Sequence, residues 1–172
     1  MIVTSSLDAL PKAEQYASLL SQARSLLDGE SNPIANAANL SALVMSSLSG
    51  LNWAGFYFFD GHELVLGPFQ GKPACLRIPL NRGVCGAAAR SRQTQVVPDV
   101  HAFEGHIACD AASRSEIVVP LLRDGQLVGV WDVDSPLPAR FDPQDASGME
   151  SLCALYVQSM PDDVPIKGYA ST

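Results

Sequence analysis

The spacing of hydrophobic residues divides the chain into helical and extended segments. Apolar residues near the N-terminus recur at intervals of three, four and seven, which is typical of helices with one apolar face. The predicted helices cover 8–28 with a break near Pro11, 33–49, an alanine-rich stretch that follows 81–86 and runs through Arg90, and 143–158 with Asp142 as N-cap. Prolines at 33 and 143 suit the first turns of their helices.

Aromatic and β-branched runs between turn residues mark the extended segments. They predict strands over 53–59, 63–66, 74–79, 94–97, 116–122 and 126–134. Asp60-Gly61 predicts the turn of one hairpin, and residues 123–125 predict the turn of a second. Hairpins imply an antiparallel sheet with the terminal helices on one face, which is an α+β fold.

The remaining segments set the limits of the domain. Residues 99–114 lack a sustained period and predict a loop with a helical turn, and a loop of 16 residues is often functional. No linker divides the chain, so we expect one domain over 1–160 and a polar, mobile tail over 161–172.

The amino-acid composition excludes several classes of protein. Of 172 residues, 47% are hydrophobic and 17% are charged, which excludes a disordered chain. No run approaches the ~20 apolar residues of a membrane helix, and the absence of a secretory leader predicts a cytoplasmic protein with reduced thiols. The net charge of −7 disfavours binding to nucleic acids and to anionic membranes.

Three carboxylates are expected to meet at one end of the sheet. Asp132 and Asp134 are two residues apart in a predicted strand, so both point to one face. Trp131 and Val133 point to the other. If the last two strands pair around their turn, Glu116 lies opposite roughly Asp132. Such a cluster either is a solvated strand end, or binds an ammonium group and holds a proton donor near neutral pH.

The four cysteines differ in their surroundings, and none forms a C-x-x-C pair. Cys109 lies in the long loop among polar residues, so it is either a nucleophile or an inert thiol. Cys85 precedes a predicted helix, where the N-terminus would lower its pKa, or its flanking glycines serve tight packing. Cys75, in a predicted strand, and Cys153, on a predicted helix face, favour core positions.

Histidines and aromatic residues add two further candidates. His101 and His106 lie near Cys109, but the spacing matches no standard ligand pattern, so no metal site is expected. Trp53 and Tyr57 are four residues apart in a predicted strand and share one face. Such residues commonly fill a core, and they could also wall a small apolar cavity.

Six segments of the chain share their pattern with one known family. These segments are Asn52–Tyr57, Leu66–Lys72, Arg82–Gly86, Gly105–Ser113, Ser115–Val118 and Asp132–Ser135. Together they resemble the free methionine-(R)-sulfoxide reductases, which are stand-alone GAF domains, over roughly 15–158. The resemblance implies a GAF-like antiparallel sheet with helices packed on its faces, in agreement with the predicted order of elements.

The resemblance also implies a reaction on free L-methionine (R)-sulfoxide. Cys109 would attack the sulfoxide sulfur, a carboxylic acid would protonate the departing oxygen, and Cys109 would become a sulfenic acid. A second cysteine would form a disulfide with it, and thioredoxin would reduce that disulfide. Electrons would come from NADPH through thioredoxin reductase, with no bound cofactor. The family further implies a homodimer.

The same resemblance assigns the substrate contacts. Trp53 and Tyr57 are similar to the family's pocket for the S-methyl group. Glu116, Asp132 and Asp134 would contact the ammonium and sulfoxide groups, with either Glu116 or Asp134 as the acid.

The resolving cysteine is less firmly assigned than the nucleophile. The resemblance favours Cys75 as the cysteine that resolves Cys109, and Cys85 is the remaining thiol of the family's three. A resolving role for Cys75 conflicts with the core position that its surroundings favour. The alternatives to an enzyme are a GAF module that senses a small molecule without chemistry, and a redox-sensing scaffold whose thiols oxidise without a dedicated substrate.

Overall fold

Four α-helices and six strands make up the residues that the computed structural model describes, which are 6–103, 105 and 111–161. The helices are α1 (Lys12–Leu27), α2 (Pro33–Ser47), α3 (Gly83–Ser91) and α4 (Pro143–Gln158). The strands are β1 (Trp53–Phe59), β2 (Glu63–Gly71), β3 (Arg77–Pro79), β4 (Gln95–Val97), β5 (Ser115–Arg123) and β6 (Gln126–Ser135). A short 3₁₀ helix, Val100–Ala102, is the helical turn predicted for the long loop.

The strands form one sheet in the order β3-β2-β1-β6-β5-β4. Every neighbouring pair is antiparallel, which confirms the α+β prediction. Helices α1, α2 and α4 cover one face of the sheet and α3 covers the other, each over its own apolar cluster.

Alternation along the central strands separates the two clusters. On β1, Phe56 and Phe58 belong to the larger cluster under the three helices, whereas Trp53 and Tyr57 belong to the smaller cluster under α3. Trp131 on β6 stacks on Phe56, with ring centroids 5.6 Å apart. Because successive side chains of a strand point to opposite faces, the acidic residues next to Trp131 face α3.

Two strand boundaries differ from the prediction. Strand β2 runs to Gly71 rather than ending near residue 66, because Gly67 and Pro68 accommodate an irregularity in its pairing with β1 and do not end the strand. Strand β3 begins at Arg77 rather than at residue 74. Cys75 therefore lies half-buried in the connection before β3, so its prediction as a core strand residue is wrong.

The register of β5 and β6 is shifted by two residues from the prediction. Glu116 pairs with Asp134, and Asp132 pairs with Val118. One residue of the shift comes from a tighter turn, in which Arg123 pairs with Gln126. The other comes from a bulge next to Leu121. Because a shift of two keeps every side chain on its face, the carboxylates still converge.

The last helix begins as its sequence predicts. Asp142 caps α4 in a capping box with Asp145, and this arrangement satisfies backbone N–H groups of the first turn. Lys12 of α1 bonds both carboxylates, which ties the two helices together. No helix in the described ranges has the length and apolarity required to cross a membrane. The predicted tail lies outside them from residue 162 onward.

Candidate active site

Three carboxyl groups meet on the α3 side of the sheet, where β1, β5 and β6 run side by side. Glu116 pairs with Asp134 across β5 and β6, and Asp132 faces the same way two residues along. Gly55 of β1 lies opposite Asp132. Glu116 and Asp132 are 5% and 7% exposed, and Asp134 is half-buried. The predicted convergence of the three carboxylates is therefore present in the structure.

Cys85 lies over this cluster at the start of α3. Gly86 lets the helix approach the preceding chain, since a Cβ there would lie 2.8 Å from the carbonyl oxygens of Pro79 and Leu80. The ligand atoms of Cys85, Glu116 and Asp132 all lie within 4.8 Å of one another. By distance alone these three could hold a divalent cation, for which the thiol would have to lose its proton.

Burial controls the protonation of the cluster. Burial and the neighbouring carboxyls of Asp132 and Asp134 raise the pKa of Glu116 well above its usual value. Burial also raises the pKa of Asp132 to about 7, although hydrogen bonds with Cys85 and Glu116 favour its ionised form. Near neutral pH Glu116 therefore carries a proton that it can donate.

Of the two interpretations that the sequence left open for Cys85, the lowered pKa is wrong, whereas the tight packing is present at Gly86. Cys85 does lie in the first turn of α3. However, its burial and the nearby carboxyls of Asp132 and Glu116 raise the pKa of its thiol well above the usual value. The partial positive charge at a helix N-terminus is small beside these two effects. Cys85 is therefore a protonated thiol that hydrogen-bonds Asp132.

An aromatic wall stands beside the carboxylates. Trp53 stacks on Tyr57 with ring centroids 5.9 Å apart, as their shared face predicts. Phe69 of β2 stacks on the same Trp53 with ring centroids 5.3 Å apart, a contact that the sequence did not predict. The sequence feature that marks this position is Gly55, which pairs with Phe69 across the two strands. A Cβ there would lie 2.3 Å from the Phe69 Cβ, so only glycine fits beneath these rings.

A hydrogen bond holds Trp53 of this aromatic wall in place, and the hydroxyl group of Tyr57 stays neutral. The Trp53 indole N–H donates to the carbonyl of Lys72 at 3.1 Å. Burial, together with the negative charge of Asp132, raises the pKa of Tyr57. The phenol of Tyr57 therefore stays protonated, so the wall offers apolar rings with a neutral hydroxyl.

The four cysteines differ in bonding state and in location. Cys75 is disulfide-bonded, whereas Cys85 and Cys153 are free and buried. Cys153 lies in the cluster under α1, α2 and α4, as predicted, on the face opposite the carboxylates. Cys109 lies outside the described residues, as does His106. His101 is exposed, with its ring 3.1 Å from Asp99.

Described residues on both sides of Cys109 attach to the edge of this site. The carbonyl of Gly105 accepts a hydrogen bond from the backbone N–H of Gly83, where α3 begins. The hydroxyl of Ser113 accepts from the side chain of Asn52, just before β1. The described residues on either side of Cys109 are therefore attached to the start of α3, two residues before Cys85, and to the residue that precedes β1.

The fold and the matching family model show that the protein is a GAF domain. The family model of the GAF domain matches residues 34–160. A structure from Burkholderia vietnamiensis, described as a candidate GAF sensor protein, is 70% identical with a TM-score of 0.85, covering 88% of this chain and 96% of that one.

Named relatives narrow the class. The free methionine-R-sulfoxide reductase of Escherichia coli is 52% identical over 83% of this chain and 87% of its own length. The same enzyme from Neisseria meningitidis, solved in complex with its substrate, is 43% identical with a TM-score of 0.86, covering 92% of this chain and 94% of that one. The chain belongs to the free methionine-R-sulfoxide reductase family of GAF domains.

Proposed function

We propose that this chain reduces free L-methionine (R)-sulfoxide to methionine and that a cysteine thiol is the reductant. The observation that carries the proposal is the buried cluster of Glu116, Asp132 and Asp134 beside the rings of Trp53 and Tyr57. Carboxylates suit the ammonium group of a free amino acid, and apolar rings suit its S-methyl group. The named relatives supply the class of reaction.

Selection of the free amino acid follows from the state of Asp132. Its Oδ1 atom is buried and has no hydrogen-bond partner among the described residues. A buried carboxylate oxygen without a partner is costly, and a bound ammonium group would remove that cost. A methionine sulfoxide within a protein chain has an uncharged amide at this position, so it would gain much less.

Glu116 is the better candidate for the acid of the two that the sequence left open. It is more deeply buried than Asp134, and its raised pKa keeps it protonated near neutral pH. Asp132 and Asp134 would then hold the ammonium group, while Glu116 would donate its proton to the sulfoxide oxygen.

The chemistry begins at Cys109. Its sulfur attacks the sulfoxide sulfur, the S–O oxygen takes a proton from Glu116, and the oxygen is transferred to Cys109 as methionine leaves. Thiol and sulfoxide thus become sulfenic acid and thioether, with the sulfoxide reduced by two electrons. The attachment of Gly105 to the start of α3, and of Ser113 to the residue that precedes Trp53, supports this role for Cys109.

Cys75 is our candidate for the resolving thiol. Its thiol would displace water from the sulfenic acid of Cys109 and form a disulfide, and a thioredoxin would restore both thiols. The disulfide-bonded state of Cys75 and the free thiol of Cys85 support this choice over the alternative. No bound cofactor is needed by these steps. The homodimer and the cytoplasmic location stay predictions.

The direct test is the loss of NADPH in the presence of thioredoxin, thioredoxin reductase and one sulfoxide at a time. We expect consumption of the free (R) sulfoxide and none of the (S) epimer or of a peptide-bound sulfoxide. Ligand binding without turnover of any sulfoxide would contradict the proposal and favour a sensing module.

Thiol variants test the assigned roles in the same assay. Cys109→Ser should release no methionine, and Cys75→Ser should release a single methionine per chain and then stop. The control is Cys153→Ser, because that buried thiol lies on the opposite face of the sheet and should leave turnover unchanged. Continued thioredoxin-driven cycling of Cys75→Ser would assign the resolving role to Cys85.

A further inference from the structure

One large hydrophobic side chain is far more exposed than the others in the described ranges. Leu76 is 74% exposed, and the next in order, Leu137, is 50% exposed. Single exposed hydrophobic residues are common and mean little by themselves. Leu76 differs because it directly follows Cys75, which is half-buried and disulfide-bonded.

The backbone around Leu76 is held in place. The carbonyl of Leu76 accepts a hydrogen bond from the N–H of Leu66 on β2 at 3.0 Å. The next residue, Arg77, begins β3 and bonds Asp60 and Glu63. The side chain of Leu76 is therefore exposed to solvent from a backbone that is held by hydrogen bonds.

The position of Leu76 matters for how a reductant reaches the disulfide. Thiol–disulfide exchange requires a thiolate to approach one sulfur of the disulfide closely, so access to that sulfur controls the rate. A small dithiol needs access only to the sulfur of the half-buried Cys75. A reductase protein must also lay its own surface over the chain around Cys75, where Leu76 is the exposed apolar residue and Ala74 is partly buried.

We propose that Leu76 is the docking contact for a dithiol reductase protein of the thioredoxin class, which attacks the sulfur of Cys75. This inference rests on the proposed function, because it takes the disulfide of Cys75 to be the product of turnover. The reductase thiolate bonds the sulfur of Cys75, and the former partner sulfur leaves as a thiolate. The second reductase thiol then releases Cys75, so the reductase is oxidised by two electrons and both thiols of this chain are restored.

Leu76→Ser tests the contact with two reductants. With thioredoxin we expect the KM for thioredoxin to rise about tenfold, which corresponds to the loss of a contact worth about 1.4 kcal/mol. With dithiothreitol as the reductant, turnover of the free (R) sulfoxide should not change. Val96→Ser is the matched control, because Val96 is 39% exposed on β4 at the opposite edge of the sheet.

The outcomes separate this inference from the proposed function. An unchanged KM for thioredoxin in Leu76→Ser would overturn the docking contact while dithiothreitol-driven turnover still supported the enzyme. No turnover of the wild type with either dithiothreitol or thioredoxin would instead overturn the proposed function. A change in the oligomeric state of Leu76→Ser would assign this surface to a second copy of the chain and overturn the inference.

A trapping experiment tests the site of attack without relying on KM. A thioredoxin variant that keeps only its attacking cysteine should accumulate as a mixed disulfide with the substrate-oxidised protein. Peptide mapping should find the bond at Cys75. A bond at Cys109 would show that the reductant approaches from the other sulfur.

Discussion

The acidic side chains of Glu116 and Asp132 are both almost completely buried. Their burial raises both pKa values, so near neutral pH the pair holds a proton and Glu116 can donate it. Cys85 adds a second protonated group, hydrogen-bonded to Asp132. Burial thus keeps Glu116 and Cys85 protonated beside the carboxyl group of Asp132.

These raised pKa values make stability depend on pH. The folded chain binds more protons than the unfolded chain between the usual pKa of Asp132, 3.8, and its folded value of about 7. The contribution of Asp132 to the free energy of unfolding is therefore fully present below its unfolded pKa, and it is lost as the pH rises through its folded pKa. One pKa unit corresponds to about 1.4 kcal/mol.

Glu116→Gln should relieve this loss. We expect its Tm to match the wild type near about pH 5 and to exceed it near about pH 8, by roughly 2–4 °C for each kcal/mol recovered. The measurement is thermal unfolding of the reduced protein without substrate, with the exposed Glu14→Gln as control. A Tm difference that is the same at both pH values would contradict the raised pKa of Glu116.

The sequence predicted which carboxylates meet, and it offered a proton donor near neutral pH as one of two alternatives without deciding which residue holds the proton. Alternation along one strand was enough to place Asp132 and Asp134 on one face, and the hairpin brought Glu116 to them. For Cys85, the interpretation with a lowered pKa had the wrong direction, because the pKa depends on burial by residues that are distant in the chain. Local sequence contains the helix terminus and not that burial.

At the scale of elements, the β1–β2 hairpin builds the aromatic wall. Its irregular pairing next to Gly55 lets β2 continue through Gly67 and Pro68, so Phe69 reaches the ring of Trp53. The sequence predicted the hairpin and its turn. It did not predict the length of β2, because glycine and proline are read as strand ends, and only the paired strand shows that they lie at a bulge.

Gly55→Ala should disturb this wall. The added Cβ would lie 2.3 Å from the Phe69 Cβ and 2.5 Å from the Trp53 ring, so both must move. Overpacking of this kind costs about 1–3 kcal/mol. We expect urea unfolding to show that loss and the KM for the free (R) sulfoxide to rise. An unchanged unfolding midpoint would show that the hairpin opens without strain, contrary to its packing.

In the molecule as a whole, the sheet separates the larger apolar cluster from the candidate active site. The face under α1, α2 and α4 carries the larger apolar cluster and the buried Asp145, which bonds Tyr16, Lys12 and Arg140. The face under α3 carries the carboxylates and the aromatic wall. Periodicity and hairpins predicted the order of elements and the terminal helices on one face, and the family resemblance implied helices on both faces. The register of β5 and β6 required the structure because of its bulge.

We propose that the buried carboxylates select a free amino acid through its ammonium group. The most direct measurement compares kcat/KM for L-methionine (R)-sulfoxide and for its N-acetyl derivative, which differ at that group alone. We predict that kcat/KM for the N-acetyl form is lower by at least about 100-fold, or about 2.7 kcal/mol, and that Asp132→Asn narrows this ratio. Equal values for the two substrates would contradict the claim.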